Sequence, residues 1–544
     1  MTLIDDSRLE RPLPAPIKKV LETMFAAYSQ VIVKSEFSEG FSGSRVFLVR
    51  SIREDGRSEL PSAVKVDEID RIKKEWRAYQ DCIRNRLPGV AGISDTPVYP
   101  PDNQYGGLRY PLAGDGAFNV VSLQDYCRQA SIDDIGYVLE RLFKSLEKIW
   151  EQKNFQPEFR LHTAYDSFLH PNLLIECTAA LTEATLRDLS PNTVQKQSRP
   201  HQIGDGIKLS GFQVVRVSRK SRSVVLDMPS HLPNAYRLQV QSVPNIDAFK
   251  VGQIMPSLTG RVKQTREGAL QELAKEIVGP GVDVTAVSLP RSNGDSLPNP
   301  LVALPQLLTK SFDAYTACIH ADLHLGNVLV EPESRNIHLI DFVNAREDHV
   351  LRDFLNLELA VVNRQLPAAF DKAELIPKRI IPFYERLHCA LRYPGQVSQP
   401  PGLEKPFALL RMIREAARHY LCKQNEWGEY YTGLVFYLLG SLRYDDMKKM
   451  PGARQAAFWG AATTLKLLET ETACDEFRSD NNDDKSHSSP SGSEKGEARK
   501  DDIARSAQTQ THFYGPVSGP IHTGSGNINI SGSPGSQKQK PPTD

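Results

Sequence analysis

An α+β fold of two lobes, a small antiparallel sheet with one helix followed by a mostly helical lobe, is predicted by three features of the sequence. Apolar and polar residues alternate through VIVKSEFSEGFSGSRVFLVRSI and SAVKV, between Val31 and Val66, which is the two-residue period of half-buried strands. Glu68 to Arg84 then spaces Ile69, Ile72, Trp76 and Tyr79 three or four residues apart, as one face of a helix requires. Helical periodicity dominates the later chain, at 351–364, 404–424, 428–447 and 453–470.

Taken in order, the opening alternation reads as three strands with a Gly-rich first turn. GGLRYPLAG adds a strand-like piece, and Leu123 to Gln152 follows as a long amphipathic helix with Val138, Leu139, Leu142, Leu146 and Ile149 on one face. Short alternating runs broken by Pro, Gly, Asn and Asp return between 198 and 265. They predict an inserted β-rich subdomain, a small barrel in outline, serving either as a structural insertion or as a partner-binding unit. Its basic run RVSRKSR, 216–222, reads as a solvated hairpin in preference to an anion site. A helix is expected from Pro300 to Tyr315.

Near the end, Ser479 to Gln510 carries Ser, Asp, Asn, Lys and Glu with almost no large apolar side chain. Such a stretch cannot offset its ordering entropy by burial, so it is read as a disordered linker. HFYGPVSGPIHTGSGNINISGS alternates β-formers with glycine. It is too short to fold alone and suited to adding strands to another protein.

Bulk properties narrow the function classes. The 544 residues exceed one ordinary core, since cores stop growing near about 250 to 300 residues. The 66 Lys and Arg balance the 66 Asp and Glu, so there is no overall basic field for nucleic acid. Seven cysteines are scattered without a CxxC pair, poor for zinc and odd for a disulfide framework, and a reducing cytoplasm is the expected home. With no apolar h-region and no run of roughly 18 apolar residues, the chain reads as soluble, not exported and not membrane-spanning.

The chemistry is concentrated in CIHADLHLGNVLVEPESRNIHLIDFVNA, 318–345. Phosphoryl transfer must neutralise a triphosphate and aim a hydroxyl. Asp322 is placed to accept or orient the hydroxyl proton, and Asn327, five residues on, and Asp341, beyond the next hairpin, to hold metal ions that bridge phosphates. That hairpin runs from Val328–Val330 to Ile337–Ile340 around EPESRN, returning Asp341 to the side of Asn327. Upstream, Glu39 to Ser44 is a Gly-rich turn containing Gly40, Ser42 and Gly43. By itself this is ordinary hairpin geometry.

HADLHLGNVLV followed by LIDF resembles the catalytic loop and metal motif of the aminoglycoside phosphotransferase and choline kinase branch of the protein-kinase-like superfamily. In that branch the loop commonly reads H-G-D-x-H-x-x-N, so Ala321 replaces the usual glycine. No glycine follows Phe342, which argues against activation-loop control of the protein-kinase type. The resemblance implies ATP and Mg²⁺ as cofactors. It also implies a phosphate cradle at Gly40, Ser42 and Gly43, a phosphate-binding Lys65, and Glu75 orienting that lysine, with Glu68 as rival. RYPLAG, 109–114, falls at the adenine hinge. RDFLNLE, 352–358, resembles the D-x-x-x-L-E helix in which the Asp, here Asp353, buttresses the loop. His320 is implied as scaffold, and His324 as either a support behind the loop or a core histidine.

The insertion and the tail FYGPVSGPIHTGSGNINI resemble the ternary-complex-associated kinase-like domains of bacterial conflict and defence systems, which implies that 513–533 recruits a protein partner. The expected division is an extension at 1–29, a nucleotide-binding lobe at 30–115, the first part of the helical lobe at 116–197 and the β-rich insertion at 198–265. The catalytic and metal motifs follow in 266–472, then the linker at 473–511 and the Gly-rich tail at 512–544. The reading is a kinase moving the γ-phosphoryl of ATP to an unidentified hydroxyl on a small molecule or protein. A pseudokinase scaffold and a nucleotidyltransferase on the same fold are the alternatives.

Overall fold

The structure is a computed structural model and describes residues 2–474 apart from 6–11, 38–43, 88–91, 94–95, 113–119, 179–185, 195–198, 230–234, 291–295, 371–375 and 470–473. The expected linker and tail therefore lie outside the described residues except for Cys474.

The first lobe is a sheet of β1 (Thr2–Asp5), β2 (Gln30–Phe37), β3 (Arg45–Ile52), β4 (Ser62–Glu68) and β5 (Tyr105–Pro111), in that order, with two helices, α1 (Ala15–Met24) and α2 (Ile69–Ala78). β1 runs parallel to β2 and the others are antiparallel. The two-residue period sorts the side chains between two cores. Val31, Val33, Phe47, Val49, Val64 and Val66 pack with Val20, Leu21 and Phe25 under α1. Leu48, Ala63, Leu108 and Tyr110 point to the opposite face and join the main core with Ile72 of α2. Lys65 therefore sits on the α2 face. Residues 1–29, expected as an extension, supply an edge strand and the helix that covers one side of the sheet. Gly107 is needed there, because a Cβ would lie 2.7 Å from Val20 Cγ1 and 2.8 Å from Met24 Cε.

The second lobe opens with β6 (Val121–Ser122), α3 (Leu123–Gln129) and α4 (Ile132–Trp150). The single helix expected over 123–152 is divided because Ser131 leaves helical geometry and caps α4 by accepting from Asp134 N at 3.1 Å, an N-cap stronger than helix continuity. β7 (Asn154–Arg160) and α5 (Leu161–Tyr165) follow.

The β-rich insertion contains β8 (Leu173–Cys177), β9 (Leu186–Leu189), α6 (Pro191–Val194), β10 (Gly206–Leu209), β11 (Gln213–Ser218), β12 (Ser223–Asp227), β13 (Leu238–Gln241) and β14 (Leu258–Thr265). It forms one open mixed sheet, ordered β11-β12-β13-β8-β14-β10-β9, and not a barrel. It begins at Leu173, upstream of the expected 198, and β8 lies in the middle of the sheet with Ile175 in a core separate from the main one. Its two ends are tied together: Arg266 donates from Nη2 to Asp166 at 2.7 Å and to Asn172 at 3.0 Å, and its backbone N to Asn172 O at 3.0 Å. RVSRKSR is the β11–β12 hairpin.

After α7 (Arg266–Val278) come β15 (Ser288–Pro290), β16 (Ser296–Pro298) and α8 (Pro300–Leu307). The helix expected as far as Tyr315 stops at Leu307, and β17 (Ser311–Ile319) takes the rest, because its partner strands outweigh local helical spacing. β18 (Val328–Val330) and β19 (Ile337–Leu339) form the expected hairpin, joined by β6; β20 (Arg346–His349) and β7 flank β17. The remaining helices are α9 (Leu351–Ala360), α10 (Ile376–Arg392), α11 (Glu404–Arg418), α12 (Gly428–Ser441), α13 (Asp445–Lys448) and α14 (Pro451–Glu469). α10 was masked in the sequence by Pro377 and Pro382. A buried ion pair ties α9 to α11: Arg414 donates twice to Glu358, at 3.0 and 2.6 Å. Cys389 and Cys474 are disulfide-bonded across 85 residues, a pairing that scattered cysteines gave no reason to expect. No helix among the described residues is long and apolar enough to cross a membrane.

Candidate functional site

Two lobes meet at Lys65. β4 carries it inward, and α2 faces it with Glu75, one turn from Ile72 and one from Tyr79, so the apolar stripe that buries the helix also buries the carboxylate. Lys65 Nζ lies 2.8 Å from Glu75 Oε2 and 2.7 Å from Asp341 Oδ1, with only 2% of the lysine side chain exposed. Glu68, the rival partner, is exposed at the end of β4. Glu75 also accepts from the Phe342 backbone N at 3.0 Å and from the Tyr110 hydroxyl.

Burial disfavours the Lys65 ammonium, but the charges of Glu75 and Asp341 outweigh it and hold its pKa above the ordinary value. Burial likewise works against the Asp341 carboxylate, and Lys65 outweighs it, so Asp341 is held below its usual range. Burial pushes the Glu75 pKa upward against the pull of Lys65. Its partners are nevertheless all donors, leaving no acceptor for a proton of its own, and the arrangement is that of a carboxylate.

The loop between β17 and β18 holds the other predicted residues. His320 is fully buried, with Nε2 3.0 Å from Ile340 O and its ring 5.2 Å from that of Phe342. Beneath it, Asp353 of α9 accepts from His320 N at 3.0 Å, Ala321 N at 2.8 Å and Trp150 Nε1 at 3.0 Å. His324 Nδ1 accepts from Gly326 N at 3.0 Å and so caps the turn that carries Asn327. Asn327 donates to Asp322 O at 2.9 Å, and its own carbonyl accepts from Ile340 N at 3.1 Å, next to Asp341. The hairpin register, Val328 opposite Leu339, brings this about.

Asp322 is half-buried, and its Oδ2 accepts from Asn344 Nδ2 at 3.3 Å. Sequence reasoning assigned nothing to Asn344, nor to the Tyr110 side chain. Neither carries a motif signal, since each acts through a contact that only the fold creates. Gly40, Ser42 and Gly43 lie outside the described residues; the strands flanking them are clasped by Arg45, which donates to Glu36 at 2.7 and 2.6 Å. Of the hinge segment, Arg109 to Leu112 are described.

Ala321 and Asp341 both have positive φ, 61° and 67°. Asp tolerates this region better than most residues, whereas Ala is strained by its Cβ by roughly 1–2 kcal/mol. Ala321→Gly is expected to keep or raise the melting midpoint. Ala321→Val is expected to lower it by several degrees in a thermal scan, because a β-branched residue fits this region worst.

For a divalent cation the donor set is suitable: the Asp341 carboxylate and the Asn327 amide are hard oxygen ligands. Buried Asp341 Oδ1 meets Lys65 at ion-pair distance without a well-aligned hydrogen bond. No cluster of three or more His, Cys, Asp or Glu ligands occurs among the described residues. Mg²⁺ typically takes only one or two carboxylates besides substrate phosphates and water.

The family model for ternary complex associated domain 9 matches residues 29–443. No curated protein matches the chain. Among solved structures it is similar to a thermostable mutant of aminoglycoside phosphotransferase APH(4)-Ia in ternary complex with ADP and hygromycin B, at 12% identity, 83% of this chain and 99% of that one, with TM-score 0.33. Amicoumacin kinase hAmiN in complex with AMP-PNP, Ca²⁺ and Ami is similar at 12% identity over 84% and 96%, TM-score 0.31. Macrolide 2′-phosphotransferase type I is similar at 10% over 84% and 98%, TM-score 0.28.

Proposed function

Given that this chain belongs to the ternary complex associated domain 9 family and has the two-lobed α+β architecture of the protein-kinase-like fold, we propose that it is an ATP- and Mg²⁺-dependent phosphotransferase that moves the γ-phosphoryl to a hydroxyl. The observation that carries this reading is Lys65, held between Glu75 at 2.8 Å and Asp341 at 2.7 Å. A buried cation fixed beside a candidate metal-binding carboxylate is what a phosphate clamp requires.

In this reading Asp322 accepts or orients the proton of the acceptor hydroxyl, and Asn344 steadies its carboxylate. Lys65 binds the phosphates and Glu75 keeps it aimed. Asn327 and Asp341 would hold Mg²⁺, which when bound supplies charge neutralisation to the phosphates. His320, Ala321 and Asp353 fix the loop so that the charged groups need little rearrangement during transfer. The acceptor is a small molecule or a protein hydroxyl, and 513–533 recruits a protein partner.

The test incubates the full chain with Mg²⁺ and ATP labelled at either the γ- or the α-phosphate, in host-cell extract, beside Asp322→Asn and Asp341→Ala. Transfer of γ label that falls at least about 10²-fold in Asp322→Asn, the scale of positioned proton transfer, supports the proposal and identifies the acceptor. Transfer of α label would replace it by nucleotidyl transfer. Nucleotide binding without turnover, with partner capture lost on deleting 513–533, would replace it by a scaffold.

A further inference from the structure

Two cysteines from distant parts of the chain meet where the lobes join. α2 is prolonged by a π-helical turn, Tyr79–Ile83, that contains Cys82. β17 places Cys318 two residues before His320. The two Sγ atoms are 2.8 Å apart across 236 residues of sequence. Arg86 donates from Nη1 to Cys318 Sγ at 2.6 Å and to Cys82 O at 3.4 Å. Cys82 is buried and Cys318 part-exposed.

From this geometry we propose that Cys82 and Cys318 form a reversible oxidation site, in which a hydroperoxide converts the thiol pair to a disulfide joining the α2 extension to the strand that enters the 320–327 loop. The sulfur separation needs to close only to about 2.05 Å. Arg86 provides the cationic setting that favours a thiolate, the reactive form. The Arg86 guanidinium on Cys318 Sγ and the greater exposure of Cys318 give each sulfur its part. The contact between the two sulfurs brings the Cys318 pKa down to about 6, against the effect of burial and with the help of Arg86. The same contact, with burial, raises that of Cys82. Glu347, opposite Cys318 on β20, opposes the thiolate but does not outweigh these groups.

In the first step the Cys318 thiolate attacks one peroxide oxygen; the O–O bond breaks, leaving a sulfenic acid and a hydroxide or alkoxide that takes up a proton. In the second, Cys82 attacks the Cys318 sulfur; the S–O bond breaks, the S–S bond forms, and the departing oxygen leaves as water with the Cys82 proton. Two thiols are oxidised and one peroxide is reduced, which for hydrogen peroxide gives two waters. A dithiol reductant reverses the change.

The experiment treats the full chain with hydrogen peroxide near pH 7, blocks remaining thiols, and maps peptides by mass spectrometry before and after dithiothreitol. The expected result is a peptide joining Cys82 to Cys318, two hydrogens lighter than the sum of its parts and lost on reduction. In Arg86→Gln, with an unchanged circular dichroism spectrum, the cross-link should form several-fold more slowly. In Cys82→Ser a dimedone adduct should accumulate on Cys318. Sulfinic acid at Cys318 without the cross-link, either cysteine pairing elsewhere, no oxidation, or an unaltered rate in Arg86→Gln would each overturn the proposal. None of these readouts depends on phosphoryl transfer.

Discussion

Lys65→Met is expected to lower the free energy of unfolding by about 3–5 kcal/mol, the usual cost of removing one partner of a buried ion pair, and to abolish the proposed phosphoryl transfer. The lysine is the cation common to Glu75 and Asp341, both held close to it with little access to water. Without it two carboxylates face one another through a low-dielectric site, and their mutual repulsion raises both pKa values. The pH dependence gives the cause a signature. The raised Lys65 pKa means that its stabilisation is complete below the unfolded value of about 10.4 and lost only as pH rises through the higher folded value. Asp341 has a lowered pKa, so its stabilisation is present above the unfolded value of about 3.9 and lost as pH falls through the lower folded value. The difference between wild type and Lys65→Met should therefore be fully developed at pH 7. It should begin to shrink toward about pH 4, as the raised carboxylates of the variant take up protons, and go on shrinking below it as pH falls through the lowered Asp341 value. Urea denaturation across that range measures it. A gap below about 1 kcal/mol, or one that does not narrow in acid, would show that Lys65 does not hold the two carboxylates together. Glu75→Gln in the Lys65→Met background should recover part of the loss, since it removes one of the opposed charges.

Much of this site was legible because it is local. The 320–327 loop and the β18–β19 hairpin bring Asp322, Asn327 and Asp341 together within 20 residues of sequence, and an apolar alternation with a turn is enough to place them. Lys65 and Glu75 were legible only through the resemblance, which left Glu68 as rival; periods of 2 and 3.6 set the faces of the strand and helix that carry them. What the sequence withheld was long-range. Asn344 and Tyr110 gain meaning only through Asp322 and Glu75, and Cys82 finds Cys318 only when α2 docks beside β17. The element errors have the same origin. Residues 311–315 read as helix because no local feature announces that β7 will pair with the segment. Leu173 and Ile175 were missed as the centre of a sheet because β8 is one short alternation whose partners begin more than 60 residues later. The N-terminal strand and α1 have ordinary signals, but their burial depends on a sheet face that the strands alone leave open.

Asp353→Ala is expected to be nearly as damaging as Lys65→Met, by a different route. Three buried donors, Trp150 Nε1 and the backbone N–H groups of His320 and Ala321, converge on its carboxylate. Each donor left without an acceptor costs about 1–3 kcal/mol, and the alanine also leaves a cavity under the loop, so a total loss of several kcal/mol is expected by chemical denaturation. Activity should fall with it, because Ala321 already holds a positive φ that the carboxylate helps to maintain. Asp353→Asn separates shape from charge. It retains one carbonyl acceptor but turns an NH₂ group toward a donor, so it should be milder than alanine in stability while still disordering the His320–Ala321 turn. Burial lifts the Asp353 pKa, with His320 as the main opposing charge. Its ionisation therefore works against folding between the unfolded value of about 3.9 and the higher folded value, the reverse of Asp341. Relative to Asp353→Asn, wild type should lose stability as pH rises through that window. Equal damage from asparagine and alanine would contradict an acceptor role that survives in the amide, and a midpoint unchanged in Asp353→Ala would mean that the loop is held by its hairpin alone.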